Sequence, residues 1–260
     1  MLLEEPLLDD PRFDSIPSCI SSFSAGEFIV VLDSAHRENE GDLIIAAQDL
    51  TPEKMAFMVR HTSGLICAPL TPERARELEL QQMVGEISNK DPNRTAYTVS
   101  VDAEACGRGT GISATDRALT CNILADPRSK SSDLRRPGHV FPLRARHGGV
   151  RERPGHTEAG VDLCRLAVKH EVAVVGELVD DGIENEEKAE SHGGGMMRRD
   201  QCIEFGEKYG LKVCTIEALV DYLNRNEPAP TKAVNGLETR DQPPTLENGS
   251  RYDHSETVES

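Results

Sequence analysis

Tryptophan is absent from the 260 residues, and aromatic side chains make up only 4% of them. Basic residues are outnumbered, with 29 Lys and Arg against 45 Asp and Glu and a formal charge of −16. Nonspecific nucleic-acid binding needs basic surface, so that balance argues against a nucleic-acid partner. A small anionic ligand stays open, because a local basic pocket can oppose the global sign. No apolar run approaches the ~20 residues of a membrane-spanning helix, so no membrane partner is expected. Residues 1–10 are acidic and lack a basic segment leading into an apolar one, so no secretory signal is expected either. Seven cysteines lie scattered, the closest pair twelve positions apart, which leaves no CxxC or CxC zinc knuckle. An odd, dispersed set without a signal points to reduced thiols and a cytoplasmic location. No segment repeats at a fixed period.

What is present divides the chain by composition. Residues 1–23, with Pro6, Pro11 and Pro17 among Ser and Asp, predict a loose leader carrying one short helix near Ser18. Residues 24–223 carry the pattern of a single folded domain, and residues 224–260 turn polar and aperiodic, which predicts a disordered tail. Within the domain, residues 180–200 combine Glu184, Glu186, Glu187 and Glu190 with three consecutive glycines. They read as a flexible acidic surface loop, with a lid over an active site as the alternative. Strand-length apolar runs occupy residues 28–32, 43–47, 65–68 and 172–175, and residues 97–101 alternate like a strand. Thr51-Pro-Glu and Thr71-Pro-Glu each open a helix, with threonine as cap and proline at the first helical position. Helical spacing returns at 116–124, 158–168, 202–209 and 216–223, around a strand near Val213. This mixed order predicts an α+β fold, a layered α/β/α domain around a mixed twisted sheet.

Polar residues concentrate in four places. Residues 33–42 (Asp-Ser-Ala-His-Arg-Glu-Asn-Glu-Gly-Asp) follow directly on an apolar strand. They read either as a charged hairpin loop or as carboxylates for a divalent cation beside a guanidinium for phosphate. Arg151-Glu-Arg-Pro-Gly-His-Thr-Glu158 ends a loop and opens a helix whose free N–H groups suit an anion, with Thr157 as the expected cap. His156 there is either a surface residue or a metal ligand. His139 enters an apolar run after Arg136-Pro-Gly138, and reads as a satisfied strand-start histidine or a functional one. Glu177 interrupts the run 172–179 and must be paired, metal-bound or exposed at the strand's mouth. Cys67, at another strand end, is a buried inert thiol or a site residue.

These features, in this order, resemble the 3,4-dihydroxy-2-butanone 4-phosphate synthase family of riboflavin biosynthesis. The matching strings are Arg37-Glu-Asn-Glu-Gly-Asp42, His61-Thr-Ser-Gly64 with Cys67, Thr110-Gly-Ile-Ser113 with Asp116-Arg117, and Arg136-Pro-Gly-His-Val-Phe-Pro-Leu143. Gly155-His-Thr-Glu158, Glu177 with Asp181-Gly182, and Cys202-Ile-Glu-Phe205 complete them. The resemblance spans about 200 residues. It implies a Mg²⁺-dependent (or Mn²⁺-dependent) carbon–carbon lyase with two cations per active site. The reaction converts D-ribulose 5-phosphate to L-3,4-dihydroxy-2-butanone 4-phosphate and formate, through an enediolate, dehydration and a skeletal shift. It further implies a homodimer with active sites near the interface. Carried over by position, Glu38 and His156 match metal ligands, with Glu40 within reach of a second cation. Arg37, Asp42, Arg153, Gly155, Thr157 and Glu177 match substrate contacts. Asp33, Glu38, Cys67, His139, Glu158 and Glu177 match catalytic positions, and Asp33, Glu38 and Glu177 are the candidates for the first base. Many relatives are fused to a cyclohydrolase domain. The short, cysteine-free stretch after Leu223 implies the monofunctional fungal type instead.

Overall fold

The computed structural model describes residues 10–106 and 109–227. Seven strands build one mixed sheet: β1 (Ile29–Leu32), β2 (Gly41–Ala46), β3 (Cys67–Leu70), β4 (Val101–Ala103), β5 (Leu134–Arg144), β6 (Ala173–Glu177) and, last in the chain, β11 (Lys212–Thr215). Their spatial order is β11-β1-β2-β6-β3-β5-β4. The pairs β1/β11 and β3/β5 are parallel, and the other neighbours are antiparallel. The central strands read as unbroken apolar runs because both of their faces are covered. Side chains alternate between two cores as the pleat requires. Val30, Leu32, Leu43, Ile45 and Val174 enter one core, and Ile29, Val31, Ile44, Ala46 and Val175 the other.

Helices α2 (Pro52–His61), α3 (Pro72–Glu77), α4 (Ala114–Ala125) and α6 (Arg199–Tyr209) close the first core. Helices α1 (Ile16–Ser24), α5 (His156–Leu166) and α7 (Ile216–Asn226) close the second, which completes the α/β/α layering. The expected caps are in place: Thr51 accepts from the Lys54 N–H at 3.3 Å and Thr71 from the Arg74 N–H at 3.1 Å.

Two elements differ from the sequence reading, and a third gains detail. The helix expected near Ser18 is α1, but it is packed rather than loose, with Ile16, Cys19 and Phe23 buried against the sheet. Ile16 and Phe23 each contribute roughly 1.5–3 kcal/mol by that burial, so the domain begins inside the proposed leader. The strand β5 runs for 11 residues through Pro137, Gly138 and Pro142, all of which count against a strand. Pro137 and Gly138 are tolerated because they fall where the register with β4 shifts between Val101/Val140 and Asp102/Arg135, and Pro142 lies beyond β4, where only its carbonyl is used, accepting from the Thr98 N–H at 3.0 Å. Residues 180–200, read as a flexible acidic surface loop, carry two short antiparallel ladders, β7 (Val179–Asp180) with β10 (Gly195–Met196) and β8 (Ile183–Glu184) with β9 (Ser191–His192). Gly182 turns between them at φ 72°. There a Cβ would lie 2.3 Å from the His192 carbonyl oxygen. The proposed tail, 224–260, lies outside the described residues apart from the end of α7 and Glu227.

Candidate active site

The site assembles where β1 and β6 end and β2 begins, against the N-terminus of α5. Asp33, 1% exposed, terminates β1. Its carboxylate accepts from the N–H groups of Glu38 (3.0 Å) and Glu40 (2.9 Å) and from Arg37 Nη1 (2.9 Å). Both of its oxygens therefore shape the loop 33–40. Arg198, at the head of α6, clamps the same loop by donating to the Glu38 and Asn39 carbonyls at 2.9 and 2.5 Å. The chain then enters β2, whose Asp42 lies directly across the antiparallel ladder from Glu177 on β6. Strand alternation turns both carboxylates to the α5 side of the sheet, beside Ile44 and Val175.

Helix α5 is capped by the extended Gly155, without a side-chain cap. Thr157 is thus the second helical residue, not the cap its sequence position suggested, because His156 already has helical geometry. His156 is buried, and its Nε2 lies 3.1 Å from the Val31 carbonyl oxygen. A carbonyl only accepts, so Nε2 carries a proton and Nδ1 faces Asp42 Oδ1 (3.6 Å) and Glu38 Oε2 (3.8 Å). Burial disfavours charge on this imidazole, yet Asp42, Glu38 and Asp33 outweigh it and hold its pKa at about 9. Burial pushes Asp42 up to about 6, with Glu38, Asp33 and Glu40 adding repulsion against the pull of His156. Burial together with Asp42 and Glu38 also raises Glu177. Glu38 is lowered, first by the neighbouring His156 imidazole and also by Arg37, against the burial that raises it.

A positive wall faces these acids. Arg153 donates to Glu158 Oε2 (2.5 Å), the Asn93 carbonyl (3.0 Å) and Thr95 Oγ1 (3.0 Å). Arg37 is held by Asp33 and Glu38. The two guanidiniums converge over Gly155, where an added Cβ would lie 2.6 Å from Arg153 Nη1 and 3.0 Å from Arg37 Nη2. Glu158 is buried and also accepts from the Arg146 N–H at 3.0 Å, so it anchors Arg153 from beneath the helix.

Between acids and guanidiniums lies a cavity of about 180 Å³, lined by Arg37, Glu38, Asp42, Arg153, His156 and Glu177 among others. Cys67 and Thr157 line it too. Burial, with Glu177 and Asp42 nearby, pushes the Cys67 thiol far up, so it stays protonated rather than nucleophilic. Asp33, Gly155 and Glu158 support the cavity wall from behind. His139 is the exception. It sits on β5, where its Nδ1 pairs with Asp102 at 2.8 Å and its N–H with the same carboxylate at 2.9 Å, and it does not line this cavity. Sequence reasoning missed the segment 89–97, which supplies Asp91, Thr95 and Tyr97 to the lining and Asn93 to Glu38. Its signal was faint: a density of Asn, Asp and Thr just before a predicted strand.

Asp42 Oδ1 is buried without a hydrogen-bond partner, an acceptor left facing the imidazole. Carboxylate oxygens with one imidazole suit a hard divalent cation. Among the described residues, no three His, Cys, Asp or Glu side chains are grouped closely enough to hold a metal ion by themselves.

A donor set of this kind beside a guanidinium cradle, at the mouth of an α/β sheet, defines an enzyme for small, oxygen-rich phosphorylated substrates. Residues 17–222 match the family model of 3,4-dihydroxy-2-butanone 4-phosphate synthase, and the chain belongs to that family. The synthase of Pyricularia oryzae is 61% identical over 216 residues, covering 83% of this chain and 92% of that one. The synthase of Saccharomyces cerevisiae is 47% identical over 217 residues, covering 82% and 100%. A crystal structure of a 3,4-dihydroxy-2-butanone 4-phosphate synthase in complex with two magnesium ions superposes with a TM-score of 0.80 at 61% identity, covering 82% of this chain and 98% of that one. The chain is therefore a lyase of riboflavin biosynthesis, converting D-ribulose 5-phosphate to L-3,4-dihydroxy-2-butanone 4-phosphate and formate. Among the described residues no helix is long and apolar enough to cross a membrane.

Proposed function

We propose that the conversion takes place in the cavity bounded by β2, β6 and α5, with two Mg²⁺ (or Mn²⁺) and a defined division of labour among its residues. The observation that carries this reading is the convergence of Glu38, Asp42, His156 and Glu177 on one cavity opposite Arg37 and Arg153. Glu38 and His156 would hold the cation, with the unpartnered oxygen of Asp42 turned toward them and Glu40 in the same loop toward a second. The bound cations supply positive charge against the substrate's carbonyl and hydroxyl oxygens as negative charge develops there.

Arg37 and Arg153 bind the phosphate over Gly155, aided by the N–H groups that open α5. This anchors the carbon chain in one register through successive steps. Glu177 removes the first proton: its raised pKa brings a carboxylate toward the working pH, where a base transfers protons best. Asp33, whose oxygens are committed to the loop, acts by holding Arg37 and the backbone of Glu38. Glu158 acts by holding Arg153. Cys67 and Thr157 complete the wall against the substrate.

The enzyme works as a cytoplasmic homodimer with active sites near the interface. His139, 39% exposed at its side chain and oriented by Asp102, then serves the cavity of the other copy. Mixing inactive Glu38→Gln and His139→Asn proteins restores part of the activity if so, and restores none if His139 serves its own chain. The direct test follows formate release from ribulose 5-phosphate with Mg²⁺, with and without a chelator. Chelator-sensitive formate is expected, and release of inorganic phosphate without formate would overturn the reading.

A further inference from the structure

We infer that Asn93 is a positioning residue that ties the cation half of the site to the phosphate half. Its side chain and its backbone serve opposite partners. The Nδ2 amide donates to Glu38 Oε1 at 2.5 Å, while its carbonyl accepts from Arg153 Nε at 3.0 Å. With Oε1 of Glu38 so occupied, Oε2 is the oxygen turned to His156 Nδ1. Asn93 on Oε1, together with Arg37 on Oε2, therefore fixes which carboxylate oxygen faces the imidazole.

The segment carrying Asn93 is braced from within. Asn89 Oδ1 accepts from the Asp91 N–H at 2.9 Å, Asp91 Oδ2 accepts from the Thr95 N–H at 2.6 Å, and the Thr95 carbonyl accepts from Asn89 Nδ2 at 3.1 Å. This ring, closed by the Asn89 and Asp91 side chains and the Thr95 backbone, holds the loop as a unit, and the Thr95 hydroxyl gives Arg153 a second contact. A displacement of Glu38 on cation binding thus reaches Arg153 through one residue. The coupling expected from this path is positive, and by thermodynamic linkage it is reciprocal, each ligand changing the affinity of the other by the same factor.

The inference rests on Glu38 being a cation ligand, and the experiment separates the two. Mg²⁺ binding is measured by calorimetry on the wild type, Asn93→Leu, Glu38→Gln and the double variant. Leucine keeps the size and the backbone carbonyl but removes the amide donor. Loss of a hydrogen bond to a charged group predicts Mg²⁺ binding about tenfold weaker in Asn93→Leu. In the Glu38→Gln background the same change should cost nothing further. Inorganic phosphate, titrated with and without Mg²⁺, should show positive coupling in the wild type and less in Asn93→Leu. Phosphate affinity without Mg²⁺ should move little, because the Arg153 contact is to the backbone, whereas the KM for ribulose 5-phosphate at saturating Mg²⁺ should rise by the factor by which the coupling falls. Equal losses on both Glu38 backgrounds, or undiminished coupling, would overturn the role of Asn93. Unchanged Mg²⁺ binding in Glu38→Gln would instead overturn the ligand assignment. Asn93→Ser, which keeps a shorter donor, should recover part of the affinity; a fall in melting temperature shared by all variants without that recovery would mark a structural residue.

Discussion

Alanine at position 155 would put a methyl group where the two guanidiniums meet. The backbone there tolerates it, since φ −124° and ψ 162° are extended angles open to any residue. Alanine is a poorer helix cap than glycine, at a cost of up to roughly 1 kcal/mol, which lowers the melting temperature by roughly 2–4 °C in a domain of this size. The cradle is affected more. The new Cβ would stand 2.6 Å from Arg153 Nη1 and 3.0 Å from Arg37 Nη2, too close for either to stay. Arg153 cannot yield freely, because Glu158, Asn93 and Thr95 hold it from three sides. Relief breaks one charge-assisted hydrogen bond, either to Glu158 or to the substrate phosphate, worth about 1.5–3 kcal/mol. The KM for ribulose 5-phosphate should therefore rise roughly 10- to 100-fold. The turnover number should fall less, because Glu38, His156 and Glu177 are untouched. Initial rates of formate release against substrate concentration measure both, beside a melting curve. An unchanged KM, or a collapse of turnover at constant KM, would refute a phosphate cradle over Gly155.

Three further outcomes are expected. In chelator-treated protein, His156 has a folded pKa of about 9 against an ordinary value of 6.5, so its charge stabilises the fold fully below pH 6.5. That contribution is lost as pH rises through 9, and the fall in melting temperature over this window should vanish in His156→Asn. Gly138→Ala would set a Cβ 2.0 Å from the Val101 backbone carbon and 2.2 Å from the Asp102 nitrogen. Rigid backbone cannot make room, so β4 should part from β5, with a large drop in melting temperature and loss of the Asp102–His139 pair; a stable, active variant would contradict that packing. Phe23→Ala should cost about 3–5 kcal/mol in denaturant unfolding if α1 is part of the core, and a loss under 1 kcal/mol would return α1 to a loose leader.

Much of this architecture was legible in the chain because local chemistry and tertiary need agreed. Thr51 and Thr71 cap helices wherever such sequences begin one, and the run 172–175 reads as a strand because both its faces are buried. Polar residues crowded at strand ends mark Asp33, Asp42 and Glu177 for the same reason: a rigid strand delivers them. The failures came where distant contacts decide. Pro137 and Pro142 argue locally against β5, and only the register shift against β4 at the first and the Thr98 partner at the second make the strand tolerable. The prolines before Ser18 suggest looseness, whereas the helix is recruited by an apolar face that meets the sheet. Thr157 has a capping side chain at a helix start, but the helix begins one residue sooner. Asn93 carries no motif or period; its meaning comes from Glu38, 55 residues away, and Arg153, 60 residues away.

The pairing of Asp42 with Glu177 also dictates where this chain can change its length. Insertion of one residue in β2 after Asp42, or in β6 before Glu177, would reverse the face of that carboxylate relative to the rest of its strand. Asp42 or Glu177 would then point into the core closed by α2, α4 and α6, and an aliphatic side chain would enter the cavity. The β8/β9 arm obeys no such parity, because both of its strands are exposed and bear on no active carboxylate. Relatives that lengthen or trim the arm should keep their chemistry, and odd-numbered gaps inside the two central strands should be found only in chains that have abandoned it.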